Sequence, residues 1–216
     1  MKLKRILSLA LSGVLAVSML TACGGFGGGS VQDYSRVFRD TLNNQLDTEA
    51  VGQAHVNFDG NGELASAVRT VVRGMTQSDL SNLDLDGMTG AVVHDGSEIQ
   101  KMMARYIDYN GPWFQLAGGM YTTSSTDPDE LVRVGMVLYN GALSVEGVAN
   151  DMADKIADMD LERLIMDEDL DFTFETHAVA YKVTIPGETG KDSETPASDT
   201  TVWVVGLMVE QSKVQD

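Results

Sequence analysis

Apolar positions change period along this chain, and each change marks a boundary. Residues 6–20 (ILSLALSGVLAVSML) form an unbroken apolar run, and residues 24–30 (GGFGGGS) are almost all glycine. Beyond them, Val31, Tyr34, Val37, Phe38, Leu42 and Leu46 fall on helical spacing, with Ser30 placed as an N-cap. The spacing predicts a helix over residues 31–46. The middle of the chain is punctuated instead by turn dipeptides: Asp59-Gly60, Asn61-Gly62, Asp86-Gly87, Asp95-Gly96, Asn110-Gly111 and Asn140-Gly141. Such pairs suit type I′ hairpin turns, whose two central residues both need positive φ. Two have strand-like flanks, which predicts one hairpin of residues 105–109 with 113–121 and another of 131–139 with 142–145. In the latter, Val132, Val134, Met136 and Leu138 alternate with Arg133, Gly135, Val137 and Tyr139, the period of a strand with one buried face.

Two stretches fit either state. Leu64, Val68, Val71, Val72 and Met75 match a helix, but β-branched residues and a preceding turn leave residues 63–76 open. Residues 98–108 are open too, with Ser97 and Glu98 favouring a helix start. Residues 146–165 read as one helix, striped by Val148, Met152, Ile156 and Met159. Residues 172–185 and 201–209 read as two long strands around a polar loop, PGETGKDSETPASDT. Together these predict an α+β fold, an antiparallel sheet with hairpins packed against a few helices on one face. Residues 31–216 contain no linker that would divide them into two domains.

Charge and cysteine usage add the address. The chain carries −17. Residues 1–22 hold Lys2, Lys4 and Arg5 and no acid, so the chain after them carries −20. That balance repels nucleic acid, whose phosphates need clustered Lys and Arg. It would attract cations or basic partners. The apolar run of 15 residues spans about 22 Å as a helix, short of the ~30 Å of a bilayer core. It fits a cleaved leader, not a membrane span. Leu20-Thr21-Ala22-Cys23 follows, with the one cysteine of the chain.

This segment resembles the lipobox of bacterial lipoprotein signal peptides. The resemblance implies diacylglyceryl transfer to the Cys23 sulfur and cleavage between Ala22 and Cys23. It implies a cleaved signal peptide over residues 1–22, a lipidated cysteine and glycine tether over 23–30, and a single acidic extracytoplasmic domain over 31–216. Two acyl chains suffice for stable attachment, where one would bind only marginally. The glycine-rich segment is a flexible tether of roughly 13–16 Å mean reach. The expected location is the extracytoplasmic side of the cell membrane, with the membrane as partner through the lipid on Cys23.

Candidate chemistry is sparse. His55, His94 and His177 lie in no metal-binding pair, and the lone cysteine removes disulfides and thiol chemistry. No catalytic, cofactor-binding or metal-ligating residue is assigned, and no cofactor is expected. An enzyme with a non-local site remains an alternative, for which His94 or His177 should lie in a cleft beside acids. Residues 187–193 (GETGKDS) miss a phosphate loop, since Ile185 replaces the first glycine and Asp192 the hydroxyl residue. Asn57-x-Asp59-x-Asn61-Gly62 and Asn82-x-Asp84-x-Asp86-Gly87 resemble the first half of a calcium loop. Val68 and Val93 occupy the twelfth positions, where a bidentate carboxylate belongs, so ordinary turns are the better account.

Residues 151–175 are dense in acids, with Lys155 and Arg163 the only bases, and read as a solvated face. Met152, Met159 and Met166, seven apart, read as core packing. Tyr109-Asn110-Gly111-Pro112-Trp113-Phe114-Gln115 is similar to the Y-x-G-x-W segments of LolA- and LppX-like lipoproteins. That likeness implies a half-barrel carrying lipid or another apolar ligand, with covering helices within residues 127–165 and Val202-Trp203 on a late strand. A carrier would need an apolar cavity of roughly 300 Å³ or more. The expected function is a non-enzymatic binding or accessory role at the cell envelope, toward an unknown protein or apolar ligand and not nucleic acid. The carrier and the enzyme are the alternatives.

Overall fold

The computed structural model describes residues 29–114, 116, 128–167, 172–187 and 198–214. Its strands are β1 (Val31–Asp33), β2 (Phe58–Asp59), β3 (Ala91–Val92), β4 (Glu130–Asn140), β5 (Phe172–Ile185) and β6 (Thr200–Lys213). Its helices are α1 (Ser35–Leu46), α2 (Gly62–Gly74), α3 (Gln77–Leu80), α4 (Glu98–Met103), α5 (Val145–Ala157) and α6 (Leu161–Ile165). The six strands form one sheet in the order β1-β5-β6-β4-β3, with β2 on the β1 side of β5. All pairings are antiparallel except that of β2, which runs parallel to β5. The fold class is α+β, as the sequence predicts.

The long β5–β6 hairpin is the spine. It is paired from Phe172 opposite Lys213 to Ile185 opposite Thr200. Helices cover both faces of the sheet, not one. Ala178, Ala180, Trp203, Val205 and Leu207 face α1, α5 and α6. Val179, Tyr181, Val183, Val202 and Val204 face α2, α3 and α4. The reason is visible in β6: VWVVGLMV at residues 202–209 is apolar at both parities, the pattern of a strand buried on both sides. In β4, Val137 and Tyr139 pack on the α1, α5 and α6 face while Val134, Met136 and Leu138 pack on the α2 face, so its alternation does not mark a solvent side. Gly206 lets α2 approach, since a Cβ there would lie 2.6 Å from the Val68 side chain.

Residues 31–33 depart from the expected helix. The open edge of β5 takes them as β1, with Val31 opposite Val183, and α1 begins at Ser35. Ser30 is no cap: its carbonyl accepts the Thr184 N–H, while Asp33 accepts that of Ser35. Phe38, Leu42 and Leu46 are buried as the spacing requires. Of the ambiguous stretches, 63–76 is helical through Gly74 and 98–108 through Met103. Asn61 caps α2 by accepting from Glu63 and Leu64 N–H, and Ser97 caps α4 by accepting from Gln100 N–H. The expected 146–165 helix is two helices, α5 and α6, broken at Asp160, which has φ 52°.

Neither internal hairpin forms. β4 pairs with β6 and β3, and the chain after Asn140 enters α5, capped by Ser144. Residues 105–109 are not a strand, and the Gly111 and Phe114 N–H groups instead donate to Val132 and Val134 of β4. Gln115 and residues 117–121 lie outside the described residues. Among the described glycines only Gly52 and Gly96 have positive φ, so none of the predicted dipeptides has two. The asparagines act through their side chains. Asn110 donates to the Glu130 carbonyl and accepts from Val132 N–H, and Asn140 accepts from Ala142 N–H. Gly141 permits close approach, as a Cβ there would lie 2.3 Å from the Thr201 carbonyl oxygen. No helix among the described residues is long and apolar enough to cross a membrane.

Candidate functional site

Ala22 and Cys23 lie outside the described residues, but the path leading from them is anchored. Ser30 O accepts the Thr184 N–H at 2.9 Å, and Val31 pairs with Val183. Whatever precedes Gly29 therefore leaves the domain beside the C-terminal end of β5. Thr184 stands opposite Thr201, and Ile185 opposite Thr200, so this is the end where β6 begins.

A groove lies at the same end. The short helix α3 is held by a capping box, in which Thr76 N–H donates to Asp79 and the Thr76 side chain reciprocates. Gln77 Nε2 donates to the Ser198 carbonyl at 2.8 Å and contacts Thr200 Oγ1 at 3.2 Å. Asn140 Nδ2 donates to the Leu85 carbonyl at 2.9 Å, fixing the following loop to the end of β4. Between them is an open depression of about 270 Å³, walled by Leu80, Leu83 and Leu85, with Asp84 and Asp86 also lining it. Leu80 is buried, and Leu83 and Leu85 pack partly into the core around α2. From the sequence this segment reads only as a calcium-like turn over residues 82–87, because Thr200 is brought to it by the sheet.

The calcium-like segments are otherwise engaged. The Asn57 carbonyl accepts from Thr176 Oγ1, Asp59 lies in β2, and Asn61 caps α2. Val68 and Val93 are core residues. Among the described residues no three His, Cys, Asp or Glu side chains are grouped to hold a metal ion. Residues 188–193 of the phosphate-loop lookalike lie outside the described residues.

The histidines stand apart. His94 is exposed beyond β3, and His55 is exposed and paired with Glu162. His177 is 8% exposed on β5. Its Nε2 is 3.2 Å from Glu210 Oε1 and 3.9 Å from Glu175 Oε2, although neither ring nitrogen has hydrogen-bond geometry. Asn61 Nδ2 donates to the same Glu210 oxygen at 3.3 Å. The enzyme alternative asks for His94 or His177 in a cleft beside acids; His177 has acids near it, Glu210 partly and Glu175 largely exposed, while its own ring is covered. This juxtaposition follows from the β5–β6 register, which sets His177 opposite Met208 and so diagonal to Glu210. Sequence alone does not place it, because the register depends on the long connecting loop.

The acidic stretch is a partly paired helix face. Lys155 Nζ lies 3.3 Å from Asp151, and Arg163 Nε donates to Asp160 at 2.7 Å. Residues 168–171 lie outside the described residues. Met152 and Met159 are core, as expected, while Met166 is 53% exposed. Burial pushes the Tyr139 phenol well above its ordinary range, and the Asp151 carboxylate adds to the effect. Burial, with Asp33 nearby, raises that of Tyr181.

The tryptophans of the half-barrel resemblance serve opposite faces. Trp113 packs around α2 and donates to the Val93 carbonyl at 2.7 Å, while Trp203 packs around α1 and donates to the Leu143 carbonyl at 3.0 Å. The sheet between them carries packed side chains on both sides, and the groove lies at its end. No protein-family model matches the chain, and no curated protein or solved structure matches it.

Proposed function

We propose that this chain is a lipid-anchored extracytoplasmic protein with a non-enzymatic binding or accessory role at the cell envelope. The observation that carries the reading is the single cysteine, Cys23, placed directly after a basic, short apolar leader and Leu20-Thr21-Ala22. Two acyl chains on its sulfur would hold the protein at a membrane through the glycine-rich segment. The path of residues 29–31 supports the reading physically, since the tether would leave the domain from one defined end of the sheet. The acidic surface suits a basic partner.

The test is intact mass and fractionation of the protein made in bacteria. The expected mass is that of a chain beginning at Cys23 plus a diacylglyceryl group, recovered with membranes. Cys23→Ser should move the protein out of the membrane fraction. An unacylated Cys23, or unchanged fractionation of the serine variant, overturns the reading.

A further inference from the structure

The carboxylates of the groove are set apart by the leucines beside them, not by lacking a basic partner, which among the described residues the exposed Asp154 and Asp158 lack too. Asp33 holds Arg69, Glu98 holds Lys101, Asp151 holds Lys155 and Asp160 holds Arg163. Among the described residues Asp84 and Asp86 hold no basic side chain, and Asp84 accepts the Asp86 N–H at 3.3 Å. Beside them Leu80, Leu83 and Leu85 line the groove, and Met88 just beyond is 76% exposed. A groove whose leucines share the lining with Gln77, Ser81 and Thr200, with carboxylates at its rim, complements a side chain with a methylene stem and a cationic head, which is how lysine divides itself between surfaces.

We propose that this groove docks a basic segment of a membrane-embedded partner protein, with a lysine stem lying on the leucines and its ammonium between Asp84 and Asp86. Charge complementarity selects the head, and the leucines select the stem. Position selects the partner, a step that rests on the lipid-anchor reading. Thr200 lines the groove and pairs with Ile185, next to Thr184, which binds Ser30 at the tether's exit. With Ser30 held by Thr184, a glycine-rich tether of residues 24–28 would have a mean reach of roughly 11–13 Å and keep this end near the bilayer surface, where the flanks of membrane-spanning helices emerge. An aminolipid headgroup fits less well, because its phosphate would meet the same acidic rim.

The probe is a fluorescent Lys-Gly-Lys-Gly-Lys peptide, titrated by anisotropy against the lipidated chain in neutral detergent micelles. Saturable binding is expected. The pair Asp84→Asn and Asp86→Asn should weaken it about fivefold to tenfold, the scale of two exposed ion pairs. The matched pair Asp154→Asn and Asp158→Asn on the other face should leave it within about twofold. A peptide with two-carbon amine side chains in place of lysine should bind several-fold more weakly, because it cannot cover the leucines. Equal losses from the two Asp pairs, no saturable binding, or displacement of the peptide by aminolipid vesicles would each overturn the proposal. Failure of the anchor reading shows separately, as an unacylated Cys23 in the intact mass of the same preparation.

Discussion

The two ends of the β5–β6 hairpin treat polar side chains in opposite ways. At the end where β5 begins and β6 finishes, they are drawn inside. His177 is covered on the α2 face with the partly exposed Glu210 beside it, and on the other face Arg133 donates to Gln211, which is 1% exposed. At the other end, where Ser30 binds Thr184, Asp84 and Asp86 stay at the surface beside partly covered leucines. Enclosed polar groups with internal partners hold a structure together, and removing one strands the other. Exposed groups without a basic partner add little to stability and remain free for something outside. The contrast therefore divides residues kept for the fold from residues open to a ligand, and it is measurable.

The largest expected effect is at the enclosed end. Arg133→Leu leaves the Gln211 Oε1 without the Nη1 donor 3.2 Å away. A hydrogen bond from a charged donor is worth about 1.5–3 kcal/mol, so urea unfolding should lose about 2 kcal/mol. A change below 0.5 kcal/mol would show that water replaces the donor there and would erase the contrast. Asn61→Ala comes next, at about 1 kcal/mol for a lost N-cap. Its side chain also donates to Glu210, so Asn61→Asp separates the roles. Aspartate keeps the cap but places a second carboxylate beside Glu210. If the contact matters, Asn61→Asp is less stable than the wild type despite its intact cap.

These residues also show how far the sequence could be read. Helical spacing found Phe38, Leu42 and Leu46, and it found the Val148, Met152, Ile156 stripe, because local periodicity reports which face is buried. The two long strands were legible instead as β-branched and aromatic runs on either side of a polar loop. The second helical layer was missed, since alternation in residues 131–139 suggested a solvent face although Val137 and Tyr139 are apolar. The turn dipeptides misled because Asn and Gly have other uses: Asn61 caps a helix, and Gly141 admits a neighbouring carbonyl. Of the candidate site, Asp84 and Asp86 were visible as a spaced pair, but only as a doubtful calcium loop. Their joining to Thr200, like that of His177 to Glu210, depends on long-range register, which no local pattern encodes.

A smaller, pH-dependent effect compares the two sheet faces at neighbouring depths. Tyr139 and Tyr181 are both fully enclosed residues on opposite faces, and the phenols of both are raised by burial. An unfolded tyrosine loses its proton near pH 10. Above that, the native state holds protons the unfolded state has released, so stability falls as pH rises. The decline should begin at about pH 10, with no effect at neutrality. Tyr139 Oη has no hydrogen-bond partner, whereas Tyr181 Oη donates to the Ala65 carbonyl at 3.1 Å. Tyr139→Phe should therefore be nearly neutral at pH 7 and flatten the alkaline decline. Tyr181→Phe should cost about 1 kcal/mol at pH 7, the worth of an ordinary hydrogen bond. Equal costs at pH 7 would show that Tyr139 has a partner after all.

The smallest stability effect belongs to the residues with the largest expected effect on binding. Asp84→Asn with Asp86→Asn should change unfolding free energy by no more than about 0.5 kcal/mol, as for exposed substitutions away from structural contacts. The amide oxygen of Asp84→Asn can still accept the Asp86 N–H, and removing two negative charges from a chain of −17 relieves self-repulsion. A loss near 2 kcal/mol would place these carboxylates with Arg133, as fold-holding groups, and their effect on peptide binding could then be indirect. Stability unchanged while lysine-peptide binding falls is the pairing that separates the two ends: the same chemical class of residue, enclosed for the fold at one and exposed for a partner at the other.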